Sequence, residues 1–111
     1  MSHTQRTLPY IRALLRVKSA GVRSQLLHKL PPFVVDDIAA VIYNIVLGNV
    51  KISRKYKSQL SRIRHSLYNI IRAPGKAARR KSIYKQSGTG VFTILLPALA
   101  SVISSIVANN V

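Results

Sequence analysis

After Lys85 the chain carries no charged residue, whereas nearly every charged residue before it is basic, and that step constrains the molecule more than any motif does. Residues 1–30 hold Arg6, Arg12, Arg16, Lys18, Arg23 and Lys29 without an acid, and residues 31–50 hold only Asp36 and Asp37. Residues 51–85 then hold twelve cations and no acid, which leaves a net charge of +16 on 111 residues. A chain this short has little core to spare. Self-repulsion on this scale opposes a compact monomer unless a polyanion neutralises it. The expected organisation is a helical body over residues 1–73, a basic extension and processing junction over 74–89, and an apolar tail over 90–111.

Cysteine is absent, which removes disulfides, thiolate nucleophiles and cysteine metal sites from consideration. Arg6, Arg12 and Arg16 interrupt the N-terminal apolar residues, so no continuous core of a secretory signal is present there. His3, His28 and His65 are far apart and have no neighbouring carboxylate, so no metal site is expected. Asp36 and Asp37 are adjacent and point to different sides of a helix. That arrangement suits stabilisation of a helix start rather than paired acid and base chemistry. No catalytic spacing is present, so the chain reads as a non-enzyme that needs no cofactor.

The hydrophobic periodicity predicts an all-α body of three or four helices. Leu8, Ile11, Leu14 and Leu15 recur at helical spacing behind Thr7 and Pro9, predicting a first helix that starts there and runs to about Lys18. Val22, Leu26, Leu27 and Leu30 mark a second short helix, stopped by Pro31 and Pro32. Val34, Ile38, Val41, Ile42, Ile45 and Val46 cover most of a helical circumference, so residues 33–47 should be the buried centre, with Asp36 and Asp37 in the first turn. Gly48 and Asn49 form a good C-terminal stop. Ser53 caps a fourth helix whose Tyr56, Leu60, Ile63, Leu67, Ile70 and Ile71 fall three and four apart. Beyond Ala73, Pro74 and Gly75, the stretch 76–85 is expected to become helical only when bound. Residues 91–108 form an apolar run, interrupted by Thr93, Pro97, Ser101, Ser104 and Ser105, that as a helix would span roughly 27 Å.

Function points to the cations Lys51, Arg54, Lys55, Lys57, Arg62, Arg64, Arg72, Lys76, Arg79, Arg80, Lys81 and Lys85. An ordinary solvated face mixes signs for solubility, but this one lacks an acid throughout. A helix carrying such charges can follow a phosphate backbone without reading bases. No cluster of Arg or Asn at a recognition-helix start favours sequence-specific readout. Tyr56, Tyr68 and Tyr84 interleave with the cations and could stack on bases, although Tyr56 and Tyr68 lie near the apolar stripe and read mainly as packing residues.

The junction Gln86, Ser87, Gly88, Thr89, Gly90 resembles one of the cleavage patterns of adenovirus-type cysteine proteases: an apolar residue or Gln, any residue, Gly, any residue, Gly. The cut implied lies between Thr89 and Gly90. A basic segment, this junction and the apolar stretch from Ile94 to Ile103 together resemble the precursors of the adenovirus core protein X (mu) family. Earlier residues, notably 32–37 and 48–53 leading into Leu60 and Ser61, resemble small basic proteins of Polinton (Maverick) elements and adintoviruses. The resemblance implies a virion core protein that binds and condenses double-stranded DNA, assembles in the host nucleus and is trimmed by the viral protease. By position it assigns Arg79, Arg80, Lys81 and Lys85 to the basic segment, Gly88 and Gly90 to the processing junction and Pro97 to the tail. Paired glycines usual in the family are replaced here by Gly88, Thr89 and Gly90, the second tail proline is missing at Thr93, and the body is longer and less arginine-dense. Two rival expectations stand beside it. One is a tail anchored in or acting on a membrane beside Lys85, which Pro97 and the serines weaken; the other is a capsid cement protein contacting capsid proteins.

Overall fold

The computed structural model describes residues 3–109, so the ends of the expected body and tail, residues 1–2 and 110–111, lie outside the described residues. Among the described residues, seven α-helices follow one another with short connections: α1 (His3–Arg16), α2 (Ala20–Lys29), α3 (Pro32–Val46), α4 (Arg54–Arg62), α5 (Arg64–Arg72), α6 (Gly75–Ser87) and α7 (Gly90–Asn109). The expectation of an all-helical chain holds. The expected count of three or four helices before the C-terminal one does not, since six precede α7.

Local chemistry explains most boundaries. Ser19 and Ser53 cap α2 and α4, their hydroxyls accepting the amides of Val22 and Tyr56, which satisfies donors that have no partner inside the helix. Pro32 occupies the first turn of α3, where its missing N–H costs nothing. The helix ends at Gly48 with φ +75°. There the Gly48 amide donates to the Ile45 carbonyl and the Asn49 amide to the Asn44 carbonyl, a paired closure that needs a left-handed residue at the glycine. Because α3 starts at Pro32, Asp36 and Asp37 fall in its second turn, not the first, and are too far along to serve the helix start.

Three expectations about individual helices are corrected. Helix α1 runs through Pro9 rather than starting near it, so Thr7 is not a cap but a buried side chain. In α2 the inward positions are Arg23 and Leu27, while Val22 is 53% exposed. The expected fourth helix is broken at Ile63 (φ −112°, ψ 17°) into α4 and α5. Ile63 is itself buried, so the kink keeps Leu60, Ile63, Leu67 and Ile70 on the core as the rod bends around it.

Within the expected extension and junction of 74–89, residues 75–87 form a helix that packs on α2, α3 and α5. They are helix α6, with Ile83 and Ser87 fully buried, followed by a tight turn at Gly88 and Thr89. The apolar stretch is not an appendage either. Helix α7 packs most extensively on α1 and also touches α3, α4 and α6. Its Phe92, Leu95, Leu99 and Ile103 are fully buried beside Ile11, Leu14, Leu27, Ile38 and Ile42. The physical reason is a shortage of core: each preceding helix has one apolar stripe, and a segment free of charge is the cheapest common surface on which to bury them. Thr93, Ser101 and Ser105 are exposed and Pro97 is half-buried. These four interruptions of the apolar run thus form the solvent-facing stripe of this helix, four residues apart, while Ser104, the fifth, is half-buried beside it. The radius of gyration, 12.8 Å, is near the roughly 13 Å of a folded chain of this length.

Candidate nucleic-acid interface

The chain's two acids are consumed inside the protein. Asp37, only 7% exposed, accepts from the Arg6 Nε at 3.1 Å and Nη2 at 3.3 Å and from the Thr7 hydroxyl, tying α3 to α1. Arg6 also lies 4.3 Å from the centroid of the Phe33 ring. Asp36 accepts from Arg80 Nε at 2.7 Å and Nη2 at 2.6 Å, a two-pronged pair across α3 and α6, with the Lys76 ammonium at 3.8 Å. The Arg80 guanidinium holds the Asp36 carboxyl below its ordinary value, and the carboxylate in turn raises Arg80; Asp37 raises Arg6 in the same way. The aspartates are therefore clamps between helices, a role that their spacing alone did not reveal.

With both acids engaged, most of the remaining cations face solvent without local compensation, Arg23 being buried and Lys76 lying beside Asp36. Lys51, Arg54, Lys55, Lys57, Arg62, Arg64, Arg72, Lys76, Lys81 and Lys85 are exposed, and Arg79 is partly so. Arg80 is committed to Asp36 by its guanidinium, and Lys76, though exposed, stands beside the same carboxylate. Arg12, Arg16, Lys18 and Lys29, on α1, α2 and the turn between them, are exposed as well.

The kinked rod α4–α5 does not present its charges as a single stripe. On one flank Lys51, Lys57 and Arg64 border a hollow of about 680 Å³ floored by Ile45, Val46, Leu60 and Leu67. On the other, Lys55 and Arg62 border a hollow of about 260 Å³ shared with Thr93, Ile94 and Pro97 of α7. Lys76 and Arg79 line a third with Asp36 and Tyr43. Cations thus surround the rod, leaving its core stripe between the two flanks.

The tyrosines divide differently from the sequence reading. Tyr68 is 39% exposed, with the Arg72 guanidinium 5.4 Å from its ring, so it is a surface aromatic beside a cation rather than a packing residue. Tyr56 is half-buried near Lys55. Tyr84 stacks on His28 at 4.2 Å between ring centroids, and the His28 Nδ1 lies 2.7 Å from the Ser24 carbonyl oxygen; that ring face is occupied.

Of the junction residues, Gly88, Thr89 and Gly90 are exposed, Gln86 is half-buried and Ser87 is buried. The Thr89 hydroxyl donates to the Gln86 carbonyl at 2.7 Å and accepts the Val91 amide at 3.2 Å. Sequence reasoning missed Arg23, which is buried against the start of α7. Its spacing to Leu27 and Leu30, four and then three residues, was the available signal. No family model, curated protein or solved structure matches this chain.

Proposed function

We propose that this protein binds double-stranded DNA through its phosphate backbone, without reading sequence, and condenses it as a virion core component that assembles in the host nucleus. The observation that carries the reading is the fate of the two acids. Both are withdrawn into interhelical ion pairs, so the chain's net charge of +16, all but buried Arg23 at the surface, is left to an external polyanion. Positive charge spread around a small globular unit, rather than along one stripe, suits a particle that contacts more than one duplex segment and draws them together. The virion and nuclear setting rests on the sequence resemblance to the adenovirus core protein X family.

Processing at Thr89–Gly90 by an adenovirus-type cysteine protease is supported by exposure of the Gly88–Gly90 turn. Proteolysis needs an extended segment, whereas Gln86 and Ser87 belong to α6 and Gly90 opens α7. Cleavage is therefore assigned to the chain before it folds or after α7 has been displaced. Helix α7 is also long and apolar enough to cross a membrane, over Gly90–Ala108 with mean hydropathy 2.3. Its buried face, 39% of that window, is the part that packs on the other helices.

The test is fluorescence anisotropy of labelled duplexes of unrelated sequence over a salt series. The expected result is equal affinity for each duplex, with a log–log slope of about −6 to −9, as follows from roughly seven to ten phosphate contacts. A slope near zero, or strong preference for one sequence, refutes the reading.

A further inference from the structure

Arg23 is a buried cation for which the protein supplies no carboxylate. It projects from α2 with 5% of its surface exposed, while Asp36 is held by Arg80 and Lys76 and Asp37 by Arg6 and Thr7. Its Nη2 donates to the Thr93 hydroxyl at 3.3 Å and to the Thr89 carbonyl at 3.5 Å, and its Nε is buried with no partner among the described residues. Two neutral acceptors at long range offset only a small part of the cost of taking a guanidinium out of water.

Thr89 and Thr93 flank the first turn of α7, so the guanidinium sits at the positive end of a 20-residue helix. Helix N-termini attract anions and disfavour cations, and here a cation has been placed against one. Thr93 also forms part of the wall of the hollow of about 260 Å³ between α4 and α7, where Lys55 and Arg62 stand. The seat is fixed from α2 as well: the Ser87 hydroxyl donates to the Ser24 hydroxyl at 3.0 Å, fastening the residue after Arg23 to the end of α6.

We infer that this corner is a phosphate site, in which a tetrahedral oxyanion is held by Arg23, the Thr93 hydroxyl and the first turn of α7, next to the hollow of Lys55 and Arg62 that shares Thr93. It deepens the DNA reading and rests on that reading only for the origin of the phosphate, a backbone phosphodiester or free inorganic phosphate. A phosphodiester seated here would register one strand against the otherwise diffuse basic surface.

The test compares thermal unfolding of the full chain in sodium chloride and in inorganic phosphate at equal ionic strength, and the salt slope for a short duplex. Variants are Arg23→Met, which keeps bulk and removes the charge, Thr93→Val, and Arg72→Gln as a control outside these walls. In phosphate the wild type and Arg72→Gln gain about 4 °C or more over chloride once phosphate is well above its dissociation constant. Arg23→Met starts more stable in chloride and gains nothing specific, and Thr93→Val gains less. For the duplex, Arg23→Met lowers the slope by about one. A thermal response alone identifies free phosphate as the ligand, and a slope change alone identifies the phosphodiester. Absence of both overturns the site while leaving DNA binding by the exposed cations intact. A phosphate response in a wild type that ignores duplex DNA keeps the site and overturns the DNA reading. If Arg23→Met does not fold, Thr93→Val decides, and an undiminished gain together with an unchanged slope overturns the site.

Discussion

Helix α7 and the kinked pair α4–α5 are of nearly equal length, and both carry apolar residues three and four apart, yet they do opposite work. Helix α7 buries a broad face, from Phe92 and Leu95 through Leu99 to Val102 and Ile103, and meets solvent through uncharged Thr93, Ser101 and Ser105. The α4–α5 rod buries the narrow stripe Leu60, Ile63, Leu67 and Ile70 and surrounds it with cations. What separates them is the cost of burial. A lysine or arginine restricts a helix to the rim of a small protein, whereas a helix with only hydroxyls and a proline on its polar side can be enclosed by its neighbours. In a protein this basic, the segment that looks least like the rest becomes the place where the rest can meet.

Removing α7 breaks the comparison most severely. A chain ending at Thr89 is expected to lose its cooperative thermal transition, because the inner stripe of α1 and a smaller part of that of α3 lose their cover; far-ultraviolet circular dichroism during heating checks this. Leu99→Ala, at a fully buried position, is expected to cost about 2–5 kcal/mol, seen as a fall in Tm of roughly 10 °C or more. Thr7→Val removes a donor to the buried Asp37 carboxylate and should cost about 1–3 kcal/mol in urea unfolding. On the other side of the comparison, Arg62→Gln combined with Arg64→Gln is expected to change stability by no more than about 0.5 kcal/mol. The same pair should make the DNA salt slope shallower by about two.

The smallest effect concerns pH. Asp36 is held below its ordinary value of 3.8, chiefly by Arg80. Its stabilisation is therefore present above that value and lost as pH falls through the lower folded value. The stability difference between wild type and Asp36→Asn should be small at pH 7, since the pair is substantially solvated, and should vanish in acid. A difference that grows on acidification contradicts the clamp assigned to Asp36.

Much of the helical layout was legible because caps and stops are local. Ser53, Pro31, Pro32 and Gly48 act through their own backbone neighbours, and α3 and the start of α4 fall where these residues put them. Tertiary partners were not legible. Nothing beside Asp36 or Asp37 shows that their cations lie 44 and 31 residues away, on Arg80 and Arg6. The kink at Ile63 and the helical state of residues 75–87 depend on what they pack against. The role of α7 could have been read: Thr93, Pro97, Ser101 and Ser105 recur every four residues, the period of one helix face. Reading them as interruptions of a tail treated an amphipathic core helix as a uniform apolar run. Among the candidate DNA contacts, exposure follows from charge itself, whereas the loss of Arg80 to Asp36 arises only from the fold; outside that set, the burial of Arg23 was signalled only by its spacing to Leu27 and Leu30.

Native-state hydrogen exchange on the intact chain tests most directly whether α7 is the centre of one folded unit. If it is, the amides of Leu95, Leu96, Leu99, Val102 and Ile103 exchange only through global unfolding, with the highest protection in the molecule. Exchange of those amides at rates typical of a frayed helix, while α1 and α3 remain protected, would show that the body folds without α7 and would contradict the account.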